Sequence, residues 1–337
     1  MVSDNKPVTV LGAGSWGTAL AISLSRDGKK TCLWGRDAAQ IATFDSARCN
    51  TRYLPEVSFP KALILSSNLE DTIKKSGDLI VVVPSHGFRS MLESIKPYID
   101  SSQRIAWATK GFEAGSGKLL HQVAEDVFGA DRSVAVISGP TFAGEVAKGL
   151  PTAVTVASND NEFADFLANR LHTRTFRIYT SDDIIGVEVG GAVKNVLAIA
   201  AGISDGLNYG ANARAALVTR ALAEIMRLGT DLGAKKETLM GLTGLGDLIL
   251  TCTDNQSRNR RLGLALGQGK SLEDALAEIK QVVEGVQTAR EVHELATSRG
   301  IDMPIIHAVY MILYEGMMPR DAVQALLARE QKAETIF

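Results

Sequence analysis

The chain of 337 residues is long enough for about two domains of ordinary size. Its 36 Lys and Arg residues nearly balance its 38 Asp and Glu residues, and the formal charge of −2 argues against nucleic-acid binding through a large basic surface. A hydrophobic content of 45% and a charged content of 22% are typical of a globular protein and argue against disorder.

The N-terminal residues lead from polar sequence directly into a predicted strand at 8–11, without the basic and apolar regions of a signal peptide. No uninterrupted apolar run is expected to approach the ~20 residues of a membrane helix. The three cysteines, Cys32, Cys49 and Cys252, are scattered and lack metal-ligand spacing. We therefore expect a cytoplasmic protein with reduced thiols, no metal site and no stable membrane insertion.

The first half of the sequence alternates short apolar strands with helices. This alternation predicts an α/β fold with a parallel, doubly wound sheet. Strands are predicted at 8–11, 31–34, 79–83, 104–108, 134–137 and 153–157, and helices at 18–26, 38–45, 88–95 and 119–128.

Strand patterns stop after about residue 180, and the second half consists of helical patterns. The segment 186–201 is apolar on nearly every side, which is typical of a helix buried in a core. We therefore expect an α/β domain over 1–180 and an all-α domain over 181–337. Its helices are predicted at 184–203, 211–232, 259–266, 272–279, 285–298, 303–314 and 320–328.

Gly12, Gly14 and Gly17 connect the first strand to the first helix with the spacing of a dinucleotide-binding loop. In this spacing the first glycine permits a tight turn, the second lets a pyrophosphate approach the backbone, and the third lets the helix pack on the strand. The free N–H groups at the start of the helix attract phosphate. The context predicts a Rossmann-like, dinucleotide-binding domain.

The residues after the second strand predict which cofactor is accepted. An NAD site usually has an acidic residue there, which binds the ribose 2′-hydroxyl. In this chain Gly35 and Arg36 follow the strand, and Arg36 can pair with a 2′-phosphate. Asp37 comes later and could still contact a ribose. The sequence therefore favours NADP(H) and leaves NAD(H) open.

Lys194 is the candidate acid–base group. It lies in the apolar helix, where a lysine must either be paired or extend to water. A buried lysine suits proton transfer, because burial favours its neutral form. Residue chemistry alone leaves catalysis and simple extension to solvent equally open. The histidines are weaker candidates, and His86, which follows the third strand, lies nearest the expected cofactor.

Further segments are candidates for a substrate site. Glycines precede Asp247 closely and would hold its carboxylate in a fixed place. Ser257 is a natural N-cap, and the helix start beside the arginines of 258–260 suits a dianionic phosphate. The segments 109–111 and 138–143 follow strands, at the sheet edge where α/β proteins bind ligands.

Taken together, these segments closely resemble the bacterial type of the NAD(P)-dependent glycerol-3-phosphate dehydrogenase family, over nearly the whole chain. The blocks that carry the resemblance lie in family order: GAGSWGTALA at 12–21, VVVPSH at 81–86, ATKGFE at 108–113, SGPTFAGEVAKGLPT at 138–152, VGGAVKNVLAIAAGISDGL at 189–207, GLTGLGDLILTC at 241–252, SRNRRLG at 257–263 and VEGVQTA at 283–289.

The resemblance implies reversible reduction of dihydroxyacetone phosphate to sn-glycerol 3-phosphate, the backbone precursor of phospholipids. It implies Lys194 as proton donor and acceptor, with catalytic support from Asp247, Lys110 and Asn195. It implies substrate contacts by Lys110, Gly139, Thr141, Lys194, Asp247, Ser257, Arg258 and Asn259. Besides the loop glycines Gly12, Gly14 and Gly17, it implies cofactor contacts by Ser15, Trp16, Arg36, Lys110, Ala143, Arg258, Val282 and Glu284.

Two alternatives stay open at this point. One is a 3-hydroxyacid or 6-phosphogluconate type of dehydrogenase, which also pairs a Rossmann domain with a helical domain. The other is a protein that senses NADP without catalysis. The Asp247 block and the 257–261 segment favour the glycerol phosphate family. The oligomeric state is open as well, and a homodimer through the helical domain is the arrangement considered.

Overall fold

The structure, a computed structural model, describes residues 6–330. The conformation of 331–337, for which the sequence made no prediction, lies outside the described residues. The chain divides into two compact units. The first comprises Met1–Lys110 and Leu120–Ile184, and the second comprises Gly111–Leu119 and Ile185–Phe337. The segment 111–119 therefore groups with the helical half, although it lies far before it in sequence.

The first unit is built on a sheet. Its strands are β1 Val8–Leu11, β2 Thr31–Trp34, β3 Cys49–Asn50, β4 Leu54–Ser58, β5 Leu63–Ser66, β6 Leu79–Val81, β7 Ile105–Trp107, β8 Val134–Ser138, β9 Thr152–Ser158 and β10 Phe176–Ser181. Its helices are α1 Ser15–Ser25, α2 Ala38–Ala47, α3 Leu69–Lys75, α4 Phe88–Ile95, α5 Leu120–Phe128, α6 Ala143–Lys148 and α7 Asn161–Leu171.

Within the described residues, eight strands form one sheet in the order β10-β9-β8-β7-β6-β1-β2-β5. The central strand β1 is fully buried and pairs in parallel with β2 and β6, so that Val10 lies opposite Leu33 on one side and Ile80 on the other. The chain moves outward from β1 in one direction and then returns to continue in the other. This reversal places a ligand-binding crevice at the carboxyl end of β1, and it confirms the Rossmann-like fold.

The sheet departs from the expected all-parallel arrangement at β9. This strand runs antiparallel to β8, with Ala135 opposite Ser158, and β10 then runs parallel to β9. The prediction of a purely parallel sheet is wrong here. The connection from β8 to β9 contains only the short helix α6, and antiparallel neighbours do not require a long crossover.

The second unit is helical. Its helices are α8 Ile184–Gly206, α9 Gly210–Asp231, α10 Lys236–Leu239, α11 Asp247–Thr253, α12 Arg258–Gly267, α13 Leu272–Ile279, α14 Glu284–Ser298, α15 Pro304–Tyr314 and α16 Pro319–Leu327, with a π-helical turn at Leu242–Gly246. The all-α character of this half, predicted from its hydrophobic periodicity, is confirmed.

Helix α8 forms the centre of the second unit. Its apolar residues are almost all buried and pack with those of α9, α12, α14 and α15 in one hydrophobic core. Helix α8 has the length and composition of a membrane helix, with 23 residues and a mean hydropathy of 1.6 over its most apolar window, although Glu188, Lys194 and Asn195 interrupt its apolar sequence. However, 89% of that window is buried inside the protein, as expected for the core helix of a globular fold.

Candidate active site

The glycine loop has the tight geometry that its spacing predicts. Gly12 has a φ of 128°, and a Cβ there would lie 2.1 Å from the carbonyl oxygen of Val82. A Cβ on Gly17 would lie 1.9 Å from the carbonyl oxygen of Gly12. Only glycine fits either position, because both obstacles are backbone atoms. The loop thus holds the start of α1 directly against the end of β1.

The start of α1 fits the phosphates of a dinucleotide. Gly14 is the N-cap residue, so no side chain caps the first N–H groups of the helix. A Cβ at Gly14 would meet no atom within 4 Å, so that open space lies beside the backbone there. Trp16 Nε1, in the first turn, is enclosed and has no hydrogen-bond partner among the described residues. Uncapped backbone N–H groups at a helix start beside open space are suited to an anionic group.

Asn50 supports this loop from outside it, and the sequence analysis did not identify it. Its fully buried side chain donates hydrogen bonds to Ala13 O at 3.3 Å and to Thr18 Oγ1 at 2.8 Å. Its Oδ1 accepts from Tyr53 N at 3.1 Å. The amide therefore ties the β3–β4 hairpin to the loop and to α1. No local signal in the sequence marks Asn50, because its burial and its partners are tertiary features.

Arg36 and Asp37 follow β2 and differ in how their side chains are used. Arg36 is exposed. Asp37 is the N-cap of α2, and its Oδ1 accepts from Ala39 N at 3.0 Å and from Gln40 N at 3.1 Å. A carboxylate used as a helix cap has less capacity to bind a ribose hydroxyl. The arrangement supports Arg36 over Asp37 as the residue that distinguishes the cofactors.

Three predicted substrate residues meet at the carboxyl end of the sheet in the first unit. Lys110 Nζ donates to Gly139 O at 3.1 Å, and Thr141 Oγ1 donates to the same oxygen at 3.1 Å. Gly139 has a φ of 149°, and a Cβ there would lie 3.0 Å from Val154 Cα. The glycine therefore lets the 138–143 loop lie close to β9 and aim its carbonyl at Lys110.

In the second unit, Lys194 forms a buried ion pair. Its Nζ lies 2.5 Å from Asp247 Oδ1, with 8% of the lysine side chain and none of the aspartate side chain exposed. Lys194 Nζ also donates to Thr251 Oγ1 at 3.1 Å, and that hydroxyl donates to the Asp247 carbonyl oxygen at 2.6 Å. A buried charge is tolerated when it is paired and hydrogen-bonded in this way. The alternative that Lys194 simply extends to solvent is therefore wrong.

Thr251 is the member of this group that the sequence analysis missed. It lies one helical turn after Asp247 on α11, so both side chains share a face of that helix. That spacing was the signal available in the sequence.

Asn195, Asn259 and Gly285 connect three helices beside the ion pair. Asn259 Nδ2 donates to Asn195 Oδ1 at 3.0 Å, and Gly285 N donates to Asn259 Oδ1 at 2.9 Å. Asn195 is 4% exposed, and its Nδ2 has no hydrogen-bond partner among the described residues. A buried amide N–H group without a hydrogen-bond partner, on the residue that follows Lys194, is suited to a ligand oxygen.

The start of α12 is capped as predicted. Ser257 Oγ accepts from Arg260 N at 3.2 Å, which leaves its hydroxyl hydrogen available to an acceptor. Arg258 is half-buried, and its Nη1 donates to Val282 O at 2.7 Å, two residues before Glu284 at the start of α14. The second unit thus brings together Lys194, Asn195, Asp247, Ser257, Arg258, Asn259, Val282 and Glu284.

Arg260 does not join the phosphate-binding candidates, contrary to the expectation that both arginines suit a phosphate. Its guanidinium is buried and donates to Cys252 O at 3.0 Å, and it also pairs with Asn255 and with Asp205. Asp205 in turn binds Arg214 Nη1 at 3.0 Å. Arg260 therefore anchors α12 to the end of α8.

His86 and the three cysteines are the remaining candidates. His86 is exposed in a short 3-10 turn at Ser85–Gly87. The cysteines are free thiols, and burial raises the pKa of Cys252 to about 12. Among residues 6–330, no group of His, Cys, Asp and Glu side chains could hold a metal ion.

Comparison with known proteins gives one consistent result. Residues 7–164 match the model of the NAD-dependent glycerol-3-phosphate dehydrogenase N-terminus, and residues 183–324 match that of the C-terminus. A protein of Aeromonas salmonicida (strain A449) called glycerol-3-phosphate dehydrogenase [NAD(P)+] is 54% identical over 99% of this chain and 100% of its own length. One of the same name from Thioalkalivibrio sulfidiphilus is 57% identical over 97% of this chain and 98% of its own.

A solved structure shows the same similarity in three dimensions. The crystal structure of glycerol-3-phosphate dehydrogenase from Coxiella burnetii superimposes with a TM-score of 0.93 at 50% identity. The alignment covers 96% of this chain and 99% of that one.

Proposed function

The chain belongs to the NAD-dependent glycerol-3-phosphate dehydrogenase family, and we propose that it reversibly reduces dihydroxyacetone phosphate to sn-glycerol 3-phosphate with NAD(P)H. Relatives that carry the name [NAD(P)+] support the use of both nicotinamide cofactors. The product supplies the backbone of glycerophospholipids.

The buried ion pair between Lys194 and Asp247 is the observation that carries this proposal. A ketone reductase needs a proton donor whose pKa lies near the working pH and which is shielded from bulk water. Lys194 has an ammonium with Asp247 and Thr251 as fixed partners. The carboxylate compensates for burying the charge, and both partners fix the direction in which the proton is offered.

Cofactor contacts are proposed for each unit by itself. In the first, the proposal assigns the pyrophosphate to Gly12, Gly14, Ser15, Trp16 and Gly17, the 2′-phosphate to Arg36, and further contacts to Lys110 and Ala143. In the second, it assigns contacts to Arg258, Val282 and Glu284. The chemistry that the reduced nicotinamide supplies when bound is a hydride for the ketone carbon. Free N–H groups at the start of α1 and the exposed guanidinium of Arg36 support these assignments.

Lys194 donates a proton from Nζ to the ketone oxygen as negative charge develops there. Its charge and the free Nδ2 donor of Asn195 stabilise that oxygen before the proton moves. The lysine is then neutral, and a proton taken up from water restores the ammonium. In the reverse direction the neutral amine accepts the alcohol proton.

The phosphate of the substrate binds at the start of α12. Arg258 supplies a guanidinium, Ser257 a hydroxyl donor, and Asn259 an amide that is already held by Asn195 and Gly285. A dianion gains both from charge-assisted hydrogen bonds and from the positive end of the helix. The family resemblance also implies substrate contacts by Lys110, Gly139 and Thr141, which meet at the carboxyl end of the sheet in the first unit.

Initial rates of NAD(P)H oxidation test the proposal. Dihydroxyacetone phosphate is compared with unphosphorylated dihydroxyacetone, and a 3-hydroxyacid and 6-phosphogluconate are supplied with the oxidised cofactors. We expect turnover with the phosphorylated ketone, and a much higher KM for the ketone without phosphate. If only the hydroxyacid or 6-phosphogluconate is turned over, the protein is a dehydrogenase of the 3-hydroxyacid or 6-phosphogluconate type and the proposal is wrong.

The functional division of the chain, its location and its assembly are also proposals. We assign cofactor binding to a domain over 1–180, and substrate binding and catalysis to a domain over 181–337. Free thiols at Cys32, Cys49 and Cys252 are consistent with a reducing cytoplasm. Analytical ultracentrifugation of the purified protein determines whether it forms the homodimer considered above.

A further inference from the structure

Helix α8 touches the π-helical turn through its backbone at Gly190, one helical turn before Lys194. A Cβ at this position would lie 2.7 Å from Thr243 O, 2.9 Å from Thr243 C and 3.0 Å from Gly244 N. These are backbone atoms, so they cannot rotate away as the end of a side chain could. Only a glycine lets α8 approach the turn this closely.

The turn is also held from its other side. A Cβ at Gly244 would lie 1.9 Å from Leu239 O, in the helix α10 that precedes the turn. Gly246 N donates to Gly241 O at 3.0 Å, which closes the wide π-helical ring. A turn that is in backbone contact with both α10 and α8 has little freedom to move away from either.

This contact lies directly beside the ion pair. Gly190 and Lys194 share one face of α8, because they are separated by one helical turn. Asp247 is the first residue of α11 and follows the π-helical turn without any linker. A change in the distance between α8 at Gly190 and the turn would therefore move the backbone of Lys194 relative to that of Asp247.

We propose that Gly190 is a positioning residue for the reaction, because its missing side chain sets the approach of α8 to the π-helical turn and so holds Asp247 against Lys194. This inference rests on the proposed function of Lys194. It goes further because it attributes the distance between Lys194 and Asp247 to a backbone contact at Gly190, a residue that is assigned no contact with substrate or cofactor.

The direct test is Gly190→Ala in the otherwise intact chain. The added methyl group has to separate the helix from the turn, and a shift approaching 1 Å at a reacting group can cost ~100-fold in rate. We expect kcat for dihydroxyacetone phosphate to fall by ~10–100-fold. The Kd for NADPH should change by less than about threefold, since no cofactor contact is assigned to Lys194 or Asp247. The KM for the substrate should change less than kcat, since its phosphate is assigned to the start of α12.

A double-mutant cycle separates positioning from general destabilisation. If Gly190 acts through Lys194, adding Gly190→Ala to Lys194→Ala should cause no further loss of kcat. If instead the two losses multiply, Gly190 acts on the fold and the proposal is overturned.

Gly229→Ala is the matched control in the same unit. Gly229 lies on helix α9, and a Cβ there would lie 2.7 Å from Leu239 Cδ1, which is the flexible end of a side chain. This variant should lose some thermal stability and keep its kcat. Thermal melts of all variants identify assay temperatures at which each is folded.

Thr243→Gly keeps the proposal testable if Gly190→Ala does not fold. It leaves α8 intact but loosens the π-helical turn, so it should lower kcat and likewise have no effect in the Lys194→Ala background. Full kcat in a folded Gly190→Ala protein would overturn the inference. If Gly190→Ala does not fold, full kcat in Thr243→Gly would overturn it. A wild-type protein without turnover would instead overturn the proposed function, so the two failures are distinguishable.

Discussion

The ammonium of Lys194 lies 2.5 Å from Oδ1 of Asp247, in a part of the helical unit where the aspartate has no exposed surface. Both charges lie on elements whose backbones are in contact, α8 and the π-helical turn that leads into α11. The pair is therefore fixed in position before any substrate arrives. Such preorganisation is the main way in which an enzyme stabilises charge that develops during reaction.

Replacement of the phosphate-binding arginine should separate binding from chemistry. Arg258→Ala removes a guanidinium that bonds only to Val282 O among its described partners and is available to an anion. Loss of a charge-assisted hydrogen bond should raise the KM for dihydroxyacetone phosphate by ~10–100-fold. Steady-state kinetics at varied substrate concentration provides the measurement, with Arg299→Ala, in an exposed pair, as the control. An unchanged KM would remove Arg258 from the phosphate site.

Arg36 should determine the preference for NADPH. Its guanidinium is exposed after β2, whereas the neighbouring Asp37 is engaged as a helix cap. Arg36→Ala should reduce the ratio of kcat/KM for NADPH over NADH by ~10-fold or more, because only NADPH carries the 2′-phosphate. The assignment fails if the ratio is the same in both proteins.

Asn50 should contribute to cofactor affinity without touching the cofactor's reactive ring. Asn50→Ala leaves Ala13 O and Thr18 Oγ1 without their buried donor, and the glycine loop loses its outer support. We expect the Kd for NADPH, measured from the fluorescence of the bound cofactor, to rise by ~3–30-fold.

Gln103→Ala is the control for Asn50. Gln103 is also a buried amide of the first unit, with Ile73 O at 2.8 Å and Ser76 O at 2.9 Å as partners. This variant should lose comparable stability and keep its NADPH affinity. Equal Kd values for both variants would show that Asn50 has no special relation to the loop.

Glu224 should make the stability of the protein depend on pH. Burial raises its pKa to about 7 from an ordinary 4.5, although Ile305 N and Ile306 N donate to its carboxylate. Between these values the unfolded chain releases a proton that the folded chain keeps. Stability contributed by this group is therefore complete below about pH 4.5 and falls as the pH rises toward 7, by about 3 kcal/mol in all.

Glu224→Gln isolates this effect, since glutamine does not titrate. The free energy of unfolding of the wild type, measured by urea denaturation relative to this variant, should decrease between pH 5 and pH 7. A difference that is constant with pH would contradict the raised pKa of Glu224.

Local sequence signals predicted much of the fold. The helix at Phe88–Ile95 was predicted with its observed bounds, because its buried residues recur at helical spacing. Strand β10 was missed because the strands of this half were predicted from continuous apolar runs, and Arg177 and Tyr179 are exposed at the edge of the sheet. The hairpin of β3 and β4 was missed because its exposed Pro55 and Glu56 do not resemble a strand.

The candidate site, like the fold, was predicted only where its features are local in sequence. Glycines around Asp247 and the N-cap at Ser257 are local features, so the sequence predicted where a carboxylate and a helix start would be held. The pairing of Lys194 with Asp247 depends on a tertiary contact between α8 and the π-helical turn. Thr251 and Asn50 take part through contacts of the same kind, and local patterns do not specify such contacts.

Replacement of the proton donor tests the central claim most directly. Lys194→Ala should reduce kcat for dihydroxyacetone phosphate by ~10²–10⁴-fold, the range that general acid catalysis contributes. NADPH binding should persist, and Lys270→Ala, which breaks only an exposed pair with Glu278, should retain full activity. Single-turnover oxidation of bound NADPH in each folded variant is the measurement. A loss of that size in Lys194→Ala alone is the predicted result, and turnover close to that of the wild type would contradict the role assigned to Lys194.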